Sequence, residues 1–328
     1  MKPIPERLRP TVSRIPAGIG WGAGLALLTA LVSGVAIYLN SFAVKQVPDA
    51  AVYTTLKNGV AALVLLVLLG AASRAEVRSL RPRQWGALAI LGLIGGSLPF
   101  LLFFGGLAQA SAPGAAFIHK TLFLWVAVLA VPLLGERLGW AQLAALGLLA
   151  VSQLIVAPPT GVRWGTGETM IAAATLLWAV EVVVARRLLG ALGSGRIGSN
   201  VAAAGRMGFG LVFLAAYLVL TGRLGGIAAL DAVAWAWILV TGLLLTAYVA
   251  TWYAALQRAP ATIVTSVLVV GAVVTGALQT LGSGAPPSPV LLGGYALIGA
   301  GVTAIVAQQA RREGAGRRSA AAGDVPVG

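Results

Sequence analysis

The sequence contains no cysteine, one histidine and few charged residues. Without cysteine, the chain can form neither a disulfide nor a thiolate metal site. A single histidine argues against a site with several histidine ligands, so we predict no metal centre. Charged residues make up 10% of the 328 residues, whereas a soluble domain averages about 25%. This scarcity excludes an ordinary soluble enzyme as the class of protein.

Long apolar stretches dominate the chain instead. Apolar residues make up 59% of it, the mean hydropathy is +0.92, and 43 residues are glycine. Glycine lets membrane helices approach closely, and a membrane span needs about 20 apolar residues. These stretches predict an all-α integral membrane protein with ten transmembrane helices, near residues 19–40, 50–72, 85–108, 112–134, 138–157, 167–189, 200–221, 233–256, 260–281 and 290–310.

The net charge of +14 is distributed unevenly along the chain. Cytoplasmic loops of membrane proteins carry an excess of Lys and Arg. If both termini are cytoplasmic, the basic residues on the inside are Lys2, Arg7, Arg9, Arg14, Arg74, Arg78, Arg81, Arg83, Arg137, Arg186, Arg187, Arg196, Arg258, Arg311, Arg312, Arg317 and Arg318. Only Lys45, Arg163 and Arg223 lie outside. We therefore predict a multi-pass protein of the plasma (inner) membrane. Its positive charge would face the lipid bilayer, with no nucleic acid as partner.

The two halves of the sequence resemble each other. Ala-Pro-Gly-Ala at residues 112–115 opens the fourth predicted span, and Ala-Pro-Ala-Thr at residues 259–262 opens the ninth, 147 positions later. At the same offset, Gly135 matches Gly282 near the end of each span. Lys57 in the second span matches Arg206 in the seventh at an offset of 149.

Each half would contain five spans, which is an odd number, so the second half enters the membrane in the opposite orientation. Inverted repeats of this kind are typical of secondary transporters. The sequence thus divides into a cytoplasmic segment 1–18, a first repeat 19–157, a second repeat 158–310 and a disordered cytoplasmic tail 311–328.

The sequence resembles the EamA-type transporters of the drug/metabolite transporter superfamily. The resemblance is clearest at residues 112–116 and at Leu-Gly-Glu-Arg-Leu in residues 134–138, which begin and end the fourth span. The second repeat matches at residues 254–261 but ends in Leu-Gly-Ser-Gly at 281–284, without the Glu-Arg pair. This resemblance covers about residues 20–310. It implies ten helices in two five-helix repeats and the transport of a small solute from a chemically diverse range.

Five ionisable residues lie inside the predicted spans, where they are costly and often functional. Lys57, His119 and Lys120 lie toward the outer side and could line an outer cavity, with His119 and Lys120 about 100° apart around their helix. Glu181 and Arg206 lie at similar depth on adjacent helices and could form an ion pair. Snorkelling of the long cations to the membrane surface is the structural alternative.

Neutral and loop residues complete the candidate site. Trp178 and Tyr253 are candidate contacts for the solute, although each residue type also anchors helices at the membrane surface. Glu136 and Arg137 follow the fourth span on the cytoplasmic side, where they would form an inner gate or a structural contact.

The cations predict a solute with an acidic or zwitterionic group, because carboxylates and phosphates pair with Lys and Arg. We therefore predict a secondary transporter that exports amino acids or organic acids by alternating access. The alternative is a proton-coupled exporter of cationic or lipophilic compounds that works through Glu181. Tight pairing with Arg206 would make Glu181 a structural ion instead. The first-helix counterpart of Glu181 lies close to Val35, so only one repeat carries this carboxylate.

Other classes of function lack their motifs. The sequence contains neither the His-Glu-x-x-His zinc pattern nor the P-loop pattern, so we predict no enzymatic activity, no cofactor and no ATP-driven step. A homodimer in the membrane is compatible with the sequence.

Overall fold

The computed structural model describes residues 19–107, 109–110, 112–158, 164–190, 196–284 and 286–323. Its ten principal helices are α1 (Ile19–Gln46), α2 (Ala50–Ala72), α3 (Pro82–Leu107), α4 (Ala112–Lys120 and Leu122–Leu134), α5 (Trp140–Val156), α6 (Thr166–Leu188), α7 (Ser199–Leu220), α8 (Ala232–Arg258), α9 (Ala261–Leu268 and Gly271–Ser283) and α10 (Pro289–Gly323). Within the described residues there is no β-strand, and a single β-bridge joins Leu189 to Ile197.

The helices have the length and surface of membrane spans. Nine of those in the described residues are long and apolar enough to cross a bilayer, and α5 adds an apolar helix of 17 residues, at the short end of the range of about 17–25. Leu63, Val67, Val128 and Val212 are 61–65% exposed on the outer surface. A broad apolar surface of this kind is suited to lipid. The chain is a multi-pass membrane protein, and the predicted ten-helix fold class is confirmed.

The tail differs from its prediction. The sequence predicts a disordered tail over residues 311–328, whereas α10 continues to Gly323. Ala and Arg dominate this stretch, and both are favourable residues in a helix, which offsets the cost of its glycines. The last five residues, like the basic segment 1–18, lie outside the described residues.

Three of the helices are interrupted where the sequence predicts continuous spans. A π-helical turn occupies Gly92–Ser97 in α3. Helix α4 breaks at Thr121, whose hydroxyl donates to the carbonyl of Ile118 at 2.6 Å. Helix α9 breaks between Leu268 and Gly271. The apolar pattern runs through all three breaks, so hydropathy alone gives no sign of them.

The two repeats correspond at an offset of 149 over most of their length. Helix α2 begins at Ala50 and α7 at Ser199, 149 positions later. The second segments of α4 and α9 begin at Leu122 and Gly271, again 149 apart. The predicted match of Lys57 with Arg206 has the same offset. Two inverted five-helix repeats therefore build the bundle.

One predicted correspondence is wrong by two residues. Sequence matching pairs Gly135 with Gly282, but the glycine that ends α9 in the left-handed conformation is Gly284, and both Gly135 and Gly284 have φ of +69°. Only glycine adopts this conformation easily, so it marks the structural end of each helix. Sequence matching gives an offset of 147 because it aligns the prolines at 113 and 260, which do not occupy equivalent positions in the two helices.

Close helix crossings join the repeats at equivalent places. Gly92 of α3 packs against Phe209 of α7, and Gly242 of α8 packs against Val60 of α2. A methyl group on Gly242 would lie 2.6 Å from Cβ of Val60, which is too close for a real contact. Because glycine has no side chain, the two backbones can approach closely at each crossing. The two crossings set Lys57 and Arg206, one turn away from them, into the middle of the bundle.

Candidate functional site

A buried ion pair joins α6 to α7. Nε of Arg206 lies 3.6 Å from Oε1 of Glu181, and the two residues are 4% and 2% exposed. The hydroxyl of Tyr253, on α8, donates to the same carboxylate oxygen. The predicted pairing of Glu181 with Arg206 is confirmed, and Tyr253 lies at the carboxylate as well. Three helices of the second repeat therefore meet at one charged centre.

The π-helical turn of α3 supplies a further partner. The carbonyl of Gly95 accepts a hydrogen bond from Nη2 of Arg206 at 2.9 Å and another from Nε1 of Trp178 at 3.2 Å. A π-turn leaves the regular pattern of helical hydrogen bonds, and such turns often occur at functional sites. Sequence analysis missed this carbonyl, because a backbone acceptor leaves no mark on residue type. The paired glycines at positions 95 and 96 are its only trace in the sequence.

Part of the Arg206 guanidinium remains available. Its Nη1 is buried and has no hydrogen-bond partner among the described residues. A buried N–H without an acceptor is costly, and most such groups in folded proteins are paired. An arginine that binds one carboxylate and has free N–H groups can donate hydrogen bonds to a second anionic group.

A second cation lies on the other side of the pseudo-two-fold axis. Lys57 is 5% exposed, and its Nζ donates to Oδ1 of Asn40 at 3.2 Å. The ammonium group lies 5.0 Å from the ring centre of Tyr53, 5.8 Å from that of Phe100 and 5.1 Å from that of Phe104. No carboxylate among the described residues lies within 4.0 Å of Nζ. Lys57 is thus stabilised by ring faces and an amide oxygen.

Aromatic rings fill the space between the two cations. Trp178 packs against Phe100 at 5.3 Å and against His119 at 5.0 Å between ring centres. Phe103 contacts His119 and also Phe104, at 5.1 and 5.5 Å. The rings connect Lys57 to the Gly95 carbonyl. Together these rings form one continuous cluster, which we call the aromatic wall.

The two ionisable residues of α4 differ in their surroundings. His119 belongs to the aromatic wall, and its Nδ1 is buried without a hydrogen-bond partner among the described residues. Lys120 precedes the break at Thr121, is half-buried, and makes no hydrogen bond or ion pair with a described residue. The structure brings Lys57 and His119 to one aromatic cluster, whereas Lys120 remains apart from it.

Glu136 connects the repeats at one end of the bundle, which we call the Glu136 end. Its carboxylate accepts from the backbone N–H groups of Ala261 and Thr262 at 2.6 and 3.2 Å, and from the Thr262 hydroxyl at 2.6 Å. These donors form the N-terminus of α9, where a negative charge is favourable. A cavity of about 310 Å³ adjoins this contact and is lined by Glu136, Arg137, Leu138, Gln142, Pro260, Thr262 and Gln309.

Loop residues that sequence analysis missed tie the repeats together at both ends. Asp49 caps α2 and pairs with Arg223 at 3.1 Å, at the end opposite Glu136, which we call the Asp49 end. At the Glu136 end, the Glu76 carboxylate accepts from the backbone N–H of Gly198, the residue before α7. Asp49 and Gly198 are 149 positions apart. An Asp just before a helix predicts an N-cap, but the sequence does not predict which residue of the other repeat it pairs with.

The described residues contain no group of three His, Asp or Glu side chains placed to hold a metal ion. What the site offers is two buried cations, a row of rings between them and a cavity with both polar and apolar lining residues at the Glu136 end. This arrangement suits the reversible binding of a small solute with an anionic group.

Comparison with known proteins gives one family. The sequence matches the family described as EamA-like transporter family over residues 20–157 and again over residues 165–307, one match for each repeat. No curated protein matches the chain. Twenty-nine chains of solved structures match. One of them, described only as the crystal structure of a protein, is 19% identical, with a TM-score of 0.68 over 85% of this chain and 97% of that chain. At this identity the likeness shows the fold alone.

Proposed function

Because the chain belongs to the EamA-like transporter family, we propose that it exports small metabolites with an acidic group, such as amino acids or organic acids. The single observation that carries this proposal is Lys57, a cation that is 5% exposed and has no carboxylate partner among the described residues. A buried charge without an opposite charge is costly. The carboxylate of a solute would be that charge.

The second cation extends the binding site across the pseudo-two-fold axis. Arg206 corresponds to Lys57 in the other repeat and keeps its buried Nη1 without a hydrogen-bond partner among the described residues. A solute carboxylate could reach one cation from one side of the membrane and the other cation after the repeats have rocked. Trp178 and His119 would contact the body of the solute between the two positions.

Transport would proceed by alternating access, with no covalent chemistry. The two inverted repeats can exchange conformations, so that each end of the bundle opens in turn. The excess of Lys and Arg at the Glu136 end supports an orientation with this end and both termini in the cytoplasm, which is what we propose for a protein of the plasma membrane. Glu136 then holds the cytoplasmic ends of α4 and α9 together, as an inner gate with Arg137 beside it.

Proton-coupled export of cationic or lipophilic compounds through Glu181 is the alternative. A coupling carboxyl must be free to take up and release its proton. Glu181 is instead held by Arg206 and by the Tyr253 hydroxyl. These contacts count against a coupling role for Glu181.

Transport by the purified protein in proteoliposomes tests the proposal. A panel of radiolabelled acidic, zwitterionic, neutral and cationic solutes is offered, with and without a pH gradient. We expect acidic or zwitterionic solutes to move, and we expect Lys57→Gln to reduce their transport by more than about tenfold, since charge-assisted hydrogen bonds are the strong ones.

Lys45→Gln is the matched control, because Lys45 lies in the last turn of α1 and not in the site. Its transport should equal that of the wild type. Movement of cationic solutes alone, or full transport of acidic solutes by both Lys57→Gln and Arg206→Gln, would contradict the proposal.

A further inference from the structure

The two related cations are stabilised in different ways. Arg206 has a carboxylate beside it, whereas Lys57 has three ring faces and an amide oxygen. Sequence comparison puts the first-repeat counterpart of Glu181 close to Val35, and the structural offset of 149 moves it to Val32, which is equally apolar. The first repeat therefore contains no carboxylate for its cation, and the second repeat contains one.

The aromatic residues beside the two cations differ in the same way between the repeats. Helix α3 begins at Pro82 and α8 at Ala232, an offset of 150, and the π-turn adds one residue to α3. Beyond the π-turn the offset becomes 149, so Phe104 corresponds to Tyr253. The ring of Phe104 faces the ammonium group of Lys57, whereas the hydroxyl of Tyr253 donates to Glu181. Equivalent positions thus support a ring-bound cation in one repeat and a carboxylate-bound cation in the other.

We propose that Glu181 is a resident counter-ion, which neutralises Arg206 while no solute is bound and so allows the empty carrier to reorient. This inference rests on the proposed function. To reorient, the carrier must pass through an occluded state in which Arg206 is cut off from water. An unpaired charge is strongly unfavourable there. With Glu181 in place, this passage needs no solute.

The proposal separates two modes of transport. Net efflux requires the empty carrier to return, and therefore requires the resident carboxylate. Exchange of solute for solute does not, because a solute carboxylate accompanies Arg206 in both directions. Removal of the charge of Glu181 should slow net efflux and spare exchange.

The test compares these modes in proteoliposomes, with an acidic solute that the wild type transports. Net efflux is measured into buffer without solute, and exchange into buffer that contains the unlabelled solute. For Glu181→Gln we expect net efflux to fall by more than about tenfold while exchange stays within about twofold of wild type. A tenfold loss corresponds to about 1.4 kcal/mol, which an unpaired Arg206 would cost the empty carrier in its occluded state. Glu181→Asp, which keeps the charge, should retain more net efflux than Glu181→Gln.

Glu168→Gln is the matched control. Glu168 lies on the same helix, is 4% exposed, and accepts from the N–H of Gly165 at the start of α6. Its substitution should change both modes equally. An equal loss of both modes in Glu181→Gln, or no loss of either, would overturn the inference. A wild type that moves no acidic solute in either mode would instead overturn the proposed function.

If Glu181→Gln does not fold, the double variant Glu181→Gln/Arg206→Gln replaces it, because it leaves no unpaired charge at this centre. The proposal then expects net efflux and exchange to fall together. A selective loss of net efflux in the double variant contradicts the role of Glu181. Unchanged transport in both modes contradicts the part that Arg206 plays in the site.

Discussion

Gly95 lies where α3 meets the ion pair of α6 and α7, and its lack of a side chain is what lets its carbonyl reach Arg206. A methyl group there would lie 2.5 Å from Cγ of Glu181 and 2.8 Å from Nε of Arg206. Neither group can retreat easily, since both residues are buried and bound to other partners. This glycine is therefore a requirement of the charged centre.

We expect Gly95→Ala to lower the free energy of unfolding by about 1–3 kcal/mol, the usual cost of overpacking a core, and to reduce transport. Thermal unfolding of the purified protein measures the first effect. Gly86→Ala, in the same helix, is the control, because a methyl group there meets nothing within 4 Å. A Gly95→Ala variant as stable and active as Gly86→Ala would show that the contact is dispensable.

Residue type predicts part of the site and conceals the rest. Lys57, Glu181 and Arg206 stand out in the sequence because ionisable residues are rare inside spans. The pairing of Glu181 with Arg206 follows from their similar depth on neighbouring helices. The Gly95 carbonyl and the rings around Lys57 do not stand out, because every residue has a carbonyl and aromatic residues are ordinary in membrane helices.

At the scale of the helix, Glu136 is the clearest link between the repeats. Its carboxylate belongs to the end of α4 and binds three donors at the start of α9. The corresponding end of α9 has Leu-Gly-Ser-Gly, without a carboxylate. Within the part of the chain that the structure describes, this contact is therefore found at one end of the bundle, and we expect it to favour closure of that end.

We expect Glu136→Gln to weaken this closure by about 1–2 kcal/mol, the scale of a charge at a helix terminus. Because the natural chain has no cysteine, a single Gln309→Cys in the adjoining cavity can report it. Its rate of modification by a soluble maleimide should rise several-fold in Glu136→Gln. Asp231→Asn is the control, since Asp231 caps its own helix α8 and bridges no repeats. Equal rates in both variants would contradict the role of Glu136 as a gate.

Helix positions are far more predictable than helix interruptions. A span must bury about 20 apolar residues, so composition alone locates it. The π-turn of α3 and the breaks in α4 and α9 depend on what neighbouring helices offer to the freed backbone groups. The carbonyl of Gly95, for example, is satisfied by Arg206 and Trp178, which lie more than 80 residues away in the sequence.

At the scale of the whole molecule, the inverted repeat places equivalent loops on opposite sides of the membrane. The loop between α2 and α3 contains Ser79, and the loop between α7 and α8 contains Ala228, 149 positions later. Both residues are exposed. The first loop contacts the start of α7 through Glu76, and the second contacts the start of α2 through Arg223. Each repeat thus holds the other at a different end.

Because the sequence contains no cysteine, a single cysteine introduced into either loop can report on which side of the membrane that loop lies. We expect a membrane-impermeant maleimide to label Ala228→Cys in intact cells, because the positive-inside distribution puts the Asp49 end outside. The equivalent Ser79→Cys should react only after the membrane is permeabilised, and each variant serves as the matched control of the other. Labelling of Ser79→Cys alone in intact cells would reverse the orientation and make the Glu136 contact an outer gate. Labelling of both at equal rates would contradict opposite placement of the loops. The expected result would place the Glu136 closure on the cytoplasmic side, where an exporter takes up its solute.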